Sequence, residues 1–286
     1  MPAVQATPRA MSAPEIVPLS PAIGAEILGV DLRRPLDDAA FQRVRDAWHR
    51  RCILLFRGQH LDDADQVRFA ARFGELSKVL HRHDGHTAHP SVMLISNIRQ
   101  DGKLIGALPD GEMYFHSDQC YMERPSMATL LHAIEVPRQG GNTLFASMYA
   151  AYAALPEPVK RQIATLKALN VYDYEGNPTK RGAVRADAPS FAHPVVRTHP
   201  ATGGKALYVN RLMTASIVGL PREESDHLLS FLFDHQEQRQ FVYEHVWTPG
   251  DLILWDNRSA LHARTDFDGA ERRLLRRVAV LGERPY

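Results

Sequence analysis

Residues 250–263 read GDLILWDNRSALHA. LILW is an apolar run of strand length, DNRS is built from turn-forming residues, and ALHA opens a second short apolar segment. The stretch predicts a strand ending in a turn, with His262 in the short apolar segment that follows. Its surroundings repeat the texture. SVMLISN (91–97), ATLLHAIEV (128–136) and NTLFAS (142–147) are short strand-like runs bounded by Pro and Gly. ALYVN (206–210), QFVYEHVW (240–247) and RRLLRRVAVLG (272–282) continue it. Helical spacing is confined to a few segments. LDDAAFQRVRDAWHRR (36–51) carries Phe41, Val44 and Trp48 on one side behind the capping residues Asp37 and Asp38. LDDADQVRFAARFGEL (61–76) aligns Val67, Ala70 and Phe73. EPVKRQIATLKAL (157–169) aligns Val159, Ile163 and Leu166, and REESDHLLSFLFDHQEQ (222–238) turns Leu228, Phe231 and Leu232 inward. CILLFRGQ (52–59) reads as a buried strand. Many short strands with few helices predict an α+β, mainly β chain: a barrel or double-sheet jelly roll buttressed by helices.

Bulk properties narrow the function classes. The chain has 286 residues and 44% apolar content, enough for a sizeable core. Its 34 Lys+Arg balance 33 Asp+Glu, so no electrostatic footprint for nucleic acid or a membrane surface is expected. Two cysteines, Cys52 and Cys120, build neither a disulfide framework nor a thiolate metal site and suit a reducing cytoplasm. Residues 1–15 lack an apolar signal core and read as a flexible Pro/Ala-rich arm, with 16–286 a single domain. No run reaches the ~18 apolar residues of a membrane span. No Gly-rich nucleotide-cradling loop appears. The polar, turn-rich residues 172–205 read as a long excursion.

The chemistry-bearing stretch is MYFHSDQCYM, residues 113–122. Side chains at i and i+2 of a strand share a face, so His116 and Asp118 offer a nitrogen and an oxygen to one point. Tyr114 and Phe115 read as strand packing and Cys120 as a core thiol. H-x-D pairs are common by chance, and the chain has 14 histidines. His262 nevertheless stands out as a third ligand, because two histidines and a carboxylate on one face are the pattern of non-haem Fe(II) oxygenases. The segment after it adds a second signal. In a strand, Arg273, Leu275 and Arg277 share one face, and Arg272, Leu274 and Arg276 the other. Two arginines four apart lie roughly 13 Å apart at about 3.3 Å per residue. Facing a barrel interior, each requires an anion.

Taken together, FHSDQCY (115–121), RQGGNTLFASMYAAYAAL (138–155), GDLILWDNRSALHARTDF (250–267) and RRLLRRVAVLG resemble the taurine/2,4-dichlorophenoxyacetate dioxygenase family of Fe(II)/2-oxoglutarate enzymes. The likeness runs in order from IGAEILGVDL (23–32) to the C-terminus. It implies a double-stranded β-helix (jelly roll) core and an iron held by His116, Asp118 and His262. It implies that Arg273, assisted by Thr143, grips the distal carboxylate of 2-oxoglutarate, and that Arg277 meets an anionic group of the prime substrate. Fe(II), 2-oxoglutarate and O2 are then required. The reaction is hydroxylation, with succinate and CO2 released, and with bond cleavage where the carbon bears a heteroatom leaving group. A small carboxylate or sulfonate is the expected substrate, and a homo-oligomer, dimer or tetramer, the expected assembly. Taurine-cleaving members use a histidine after FGEL; here the region reads SKVLHRHDGHTAH (77–89), with His81, His83 and His86 displaced. That departure points away from taurine, and the segment reads as a polar lid. Lys103 reads as an exposed loop residue. Two other classes use similar residues: a metal-dependent hydrolase, which needs a further carboxylate base, and a non-catalytic, cupin-like anion binder, which has no need of Asp118.

Overall fold

The computed structural model describes residues 13–78, 87, 89–108, 111–173 and 187–286. Strands dominate, with five α-helices among the described residues. The larger sheet has seven strands in the order Glu15–Pro18, Ala25–Leu28, Ile53–Phe56, Leu252–Asp256, Ser126–Glu135, Leu274–Leu281, Val92–Ser96. A second sheet has four, in the order Val242–His245, Thr143–Ser147, Ala260–Arg264, Met113–His116. The two strands flanking DNRS therefore do not pair with each other. Each joins a different sheet, and residues 257–259 form the corner between them.

Burial explains the composition of the strands. Ile53–Phe56 is buried at every position, because both faces of the larger sheet are covered. Leu54, Phe56, Leu130, Leu254 and Val278 meet the helices Asp38–Arg51 and Asp63–Ala71 through Phe41, Val44, Trp48 and Phe69. Ile53, Leu55, Leu131, Ile253 and Leu275 point the other way, with Phe145 and Trp255. Truncating Phe69 to alanine at this interface costs about 3–5 kcal/mol. Asp37 accepts a hydrogen bond from the Ala40 amide and caps the first helix; Asp62 and Asp65 form a capping box on the second. The outer face of the smaller sheet, through Ala146 and Leu261, packs with Leu229, Leu232 and Phe233 of the helix Arg222–Gln236.

Four local expectations are corrected. The helix beginning at Glu157 ends at Ile163, and Lys167–Val171 is a strand paired with Ser190–Pro194. Strand pairing overrides the helical spacing that reaches Leu166. Phe231 is 43% exposed; the buried stripe of its helix runs through Ser225, Leu228, Leu229, Leu232, Phe233 and Gln236. Residues 187–205 are not an unstructured excursion but contain the strands Ser190–Pro194 and Val196–Thr198. Asp118 lies in the turn beyond Met113–His116 rather than within that strand. Residues 1–12 of the arm expected at 1–15, the histidines at 81, 83 and 86, and residues 174–186 lie outside the described residues, whereas Glu15 opens the first strand.

Candidate active site

His116 and His262 are cross-strand partners in the smaller sheet. Directly opposed residues point their side chains the same way, and here the ring centroids are 4.1 Å apart. Asp118 reaches the same point from the turn two residues on. One ligand atom from each of His116, Asp118 and His262 lies within 4.8 Å of the others, a spacing that can hold a metal ion.

The protonation states suit a divalent cation. Burial lowers the pKa of His116 and pushes His262 down to about 3, with the neighbouring imidazole adding to the shift at His262. Both rings are therefore neutral at pH 7. His116 Nδ1–H donates to the Tyr114 carbonyl at 2.9 Å, which leaves Nε2 as the lone-pair nitrogen. Burial works against the charge on Asp118, but Arg277 and the two histidines override it and hold the carboxyl well below the usual range. Two neutral nitrogens and one carboxylate result.

Asp118 is fixed by residues to which the sequence assigns no role. Thr129 Oγ1 donates to its Oδ2 at 2.5 Å. Asn257 Nδ2 donates to the same oxygen at 3.4 Å, and Asn257 Oδ1 accepts from the Asp118 amide at 3.2 Å. Trp255 Nε1–H donates to that Oδ1 at 3.0 Å. The corner between the sheets thus carries Asn257 to the carboxylate. Arg258 and His199 hold the corner in turn, both pairing with the fully buried Asp256.

The triad opens into a cavity of about 460 Å³ between the sheets. Thr143, Arg273 and Arg277 line it too, so all six residues singled out in the sequence come together. The face alternation of the last strand holds: Arg276 turns away to the Leu61 carbonyl, and Arg272 pairs with Glu135 at the surface. Arg273 is 2% exposed, and its Nε and Nη1 have no hydrogen-bond partner among the described residues. Nη2 donates to the carbonyl of Gly141 at 3.3 Å. Gly141 has a φ of +63°, and a Cβ there would come within 3.3 Å of Arg273 Nε, so glycine suits both the turn and the close approach. Burial, then the charge of Arg264, pushes Arg273 down to about 9. A buried guanidinium with donors that no described residue accepts is able to take a carboxylate in a bidentate pair. Arg277 differs, since its Nη2 lies 3.0 Å from Asp118 Oδ1.

The remaining walls are mostly apolar, with Met93, Ile95, Leu108, Met113, Tyr121 and Met213 among them. Ser77 and Lys78 also line the cavity, and Lys78 is exposed. Asp118 is the only carboxylate among the described lining residues. Tyr114 and Phe115 pack into hydrophobic clusters and are not among the lining residues, and Cys120 is a buried free thiol. Lys103 is exposed on the hairpin Arg99–Gln100/Lys103–Leu104 and does not line the cavity.

Comparison with known proteins gives the family. The family model described as taurine catabolism dioxygenase TauD, TfdA family matches residues 15–279. The (S)-phenoxypropionate/alpha-ketoglutarate-dioxygenase of Sphingobium herbicidovorans is 36% identical, over 94% of this chain and 95% of that protein. The alpha-ketoglutarate-dependent sulfate ester dioxygenase of Pseudomonas putida is 34% identical, over 95% of this chain and 90% of its own. Among solved structures, AAD-2 in complex with Mn(II) and N-oxalylglycine superposes with a TM-score of 0.78 at 30% identity, covering 96% of this chain and 99% of that one.

Proposed function

This chain belongs to the taurine catabolism dioxygenase TauD, TfdA family, and from that premise we propose that it hydroxylates a small organic anion with an apolar body. It is a 2-oxoglutarate-dependent dioxygenase requiring Fe(II), 2-oxoglutarate and O2. When bound, iron and co-substrate supply O2 activation coupled to oxidative decarboxylation, giving succinate, CO2 and one oxygen atom for a substrate C–H bond.

The proposed roles of the residues follow from their chemistry. His116, Asp118 and His262 hold the iron, and Thr129 and Asn257 keep the Asp118 carboxylate in one orientation. Arg273 and Thr143 clamp the distal carboxylate of 2-oxoglutarate. Arg277, beside Asp118, takes the anionic group of the substrate, a carboxylate or sulfonate. The apolar walls exclude water from the reacting carbon. Where that carbon bears oxygen, nitrogen or sulfur, the hydroxylated product collapses and the bond breaks. The observation that carries the reading is Arg273, whose buried guanidinium keeps two donor atoms without partners among the described residues. Two other readings fit the site as a whole less well. The hydrolase lacks a second carboxylate among the described lining residues, and the binder leaves Asp118 without a purpose.

We further propose one domain over 16–286, with the two sheets as the halves of a double-stranded β-helix core, and a homo-oligomeric assembly. Two buried free cysteines support a cytoplasmic location, and no helix among the described residues is long and apolar enough to cross a membrane. The test of the substrate class is succinate release across a panel of small anions: aryloxyalkanoates, alkyl sulfates, aliphatic sulfonates and plain carboxylates. An anion with an apolar body should stimulate release most. Stimulation by neutral analogues of the same body, equal to that by the anions, contradicts the role given to Arg277.

A further inference from the structure

We propose that Trp247 is a positioning residue for the distal carboxylate of 2-oxoglutarate, acting through the hydroxyl of Thr143. The inference rests on the co-substrate site assigned above. A threonine hydroxyl has one proton to donate and two lone pairs to accept with, whereas an indole nitrogen only donates. Trp247 Nε1–H donates to Thr143 Oγ1 at 3.0 Å. The hydroxyl proton of Thr143 therefore cannot point at Trp247. No protein acceptor takes it among the described residues, and Thr143 is 4% exposed. The proton is left to face the cavity that Thr143 lines together with Arg273. Trp247 thus converts a hydroxyl that could turn either way into a donor aimed where Arg273 also lacks an anion.

Trp247 is itself held in place. It is 7% exposed, and the His245 ring meets it at right angles with centroids 4.6 Å apart. His245 is the cross-strand partner of Thr143, so the strand that carries the hydroxyl is the strand that anchors the tryptophan. His245 Nε2 pairs with Asp251 Oδ2 at 3.0 Å, an oxygen that also accepts from the Thr248 amide at 3.0 Å. Arg57 Nη1 reaches the same carboxylate at 3.1 Å. A chain of defined contacts therefore runs from Arg57 through Asp251, His245 and Trp247 to Thr143. Donors fixed before the ligand arrives cost less to use than donors that must be ordered by it.

The test compares two chelators on the Mn(II)-loaded protein by calorimetry. N-oxalylglycine carries a distal carboxylate; oxalate has the chelating half alone. Trp247→Phe is expected to weaken N-oxalylglycine about fivefold, the size of one net hydrogen bond, and to leave oxalate unchanged. Thr143→Val should do the same, and the double variant should be no worse than Thr143→Val alone. Equal weakening of both chelators, or none of either, overturns the proposal, since a structural role would not discriminate between them. Should Trp247→Phe fail to fold, benzothienylalanine placed at 247 keeps the indole shape and removes only the N–H. The underlying site reading is checked in the same experiment. Wild type must bind N-oxalylglycine more tightly than oxalate, and Arg273→Met must abolish that preference. If those hold and Trp247→Phe behaves as wild type, the role of Trp247 alone is wrong.

Discussion

Arg277 Nη2 lies 3.0 Å from Asp118 Oδ1, so the guanidinium assigned to the substrate also touches the carboxylate assigned to the iron. Its side chain is 19% exposed and that of Asp118 13%, so solvent screens the pair only in part. A metal ion arriving at Asp118 competes with this cation. Arg277→Ala should therefore abolish substrate-stimulated succinate release while leaving Fe(II) affinity unchanged or tighter. Iron binding measured anaerobically, beside a substrate titration, checks both halves. Weaker iron binding in this variant would mean that Arg277 orients Asp118 rather than competing with the metal.

Arg273 sets up an opposition between stability and binding. A buried cation without its anion carries an uncompensated desolvation cost, and replacing such a group with an apolar side chain is often neutral or stabilising. Arg273→Met should raise or preserve the melting temperature of the ligand-free protein. The same change should weaken 2-oxoglutarate by on the order of a hundredfold or more, because the distal carboxylate then loses a buried partner worth about 3–5 kcal/mol. Thermal melts with and without N-oxalylglycine give both quantities. A large drop in ligand-free stability would show that Arg273 already has structural work to do.

Asn257 should matter to metal retention although it is not among the proposed ligands. Its side chain contacts both the amide and the carboxylate of Asp118. Loss of a residue that orients a ligand typically costs 10–100-fold in metal affinity or activity, roughly. Asn257→Ala should fall in that range for Fe(II) in competition with a chelator, with the fold intact by circular dichroism. Unchanged retention would remove Asn257 from the account and leave Thr129 as the side chain fixing Asp118 Oδ2.

Two histidines outside the triad make stability depend on pH. Burial pushes His193 and His49 down to about 4. His193 Nε2–H donates to the Met122 carbonyl at 2.8 Å, a bond the neutral ring can make. The unfolded chain takes up protons near the ordinary value of about 6.5, while the folded protein refuses them until about 4. Stability is therefore fully present above about pH 6.5 and declines as pH falls toward 4. Urea melts between pH 7.5 and 4.5 should show the decline, and His193→Gln should flatten part of it. Equal slopes for wild type and variant would exclude His193 as a contributor.

Much of the site is legible in the sequence because its signals are local. Arg273 and Arg277 share a face by strand alternation, and Leu275 between them is fully buried. His116 and Asp118 do reach one point, but Asp118 comes to it from a turn beyond the strand, so the i, i+2 rule is not what brings them together. Trp247, Thr129 and Asn257 escape such rules. Trp247 meets Thr143 across 104 residues and Asn257 meets Asp118 across 139, so no spacing in the chain announces either contact. The same limit applies to DNRS. A turn is readable there, but that it sends its two strands into different sheets depends on long-range pairing with Ser126–Glu135 on one side and Thr143–Ser147 on the other. In the helix Arg222–Gln236, spacing alone groups Leu228, Phe231 and Leu232, whereas the packed face includes Leu229 and Phe233 and excludes Phe231.

In the proposed site, Fe(II) bound by His116, Asp118 and His262 would receive 2-oxoglutarate as a chelate. The most direct measurement is the visible spectrum of the purified protein under anaerobic conditions, titrated with 2-oxoglutarate in the presence of Fe(II). A saturable metal-to-ligand charge-transfer band is expected, absent in His116→Ala, Asp118→Ala and His262→Ala and displaced to much higher 2-oxoglutarate concentration in Arg273→Met. A protein that binds Fe(II) yet develops no band at any 2-oxoglutarate concentration, or keeps the full band in one of the three alanine variants, would contradict it.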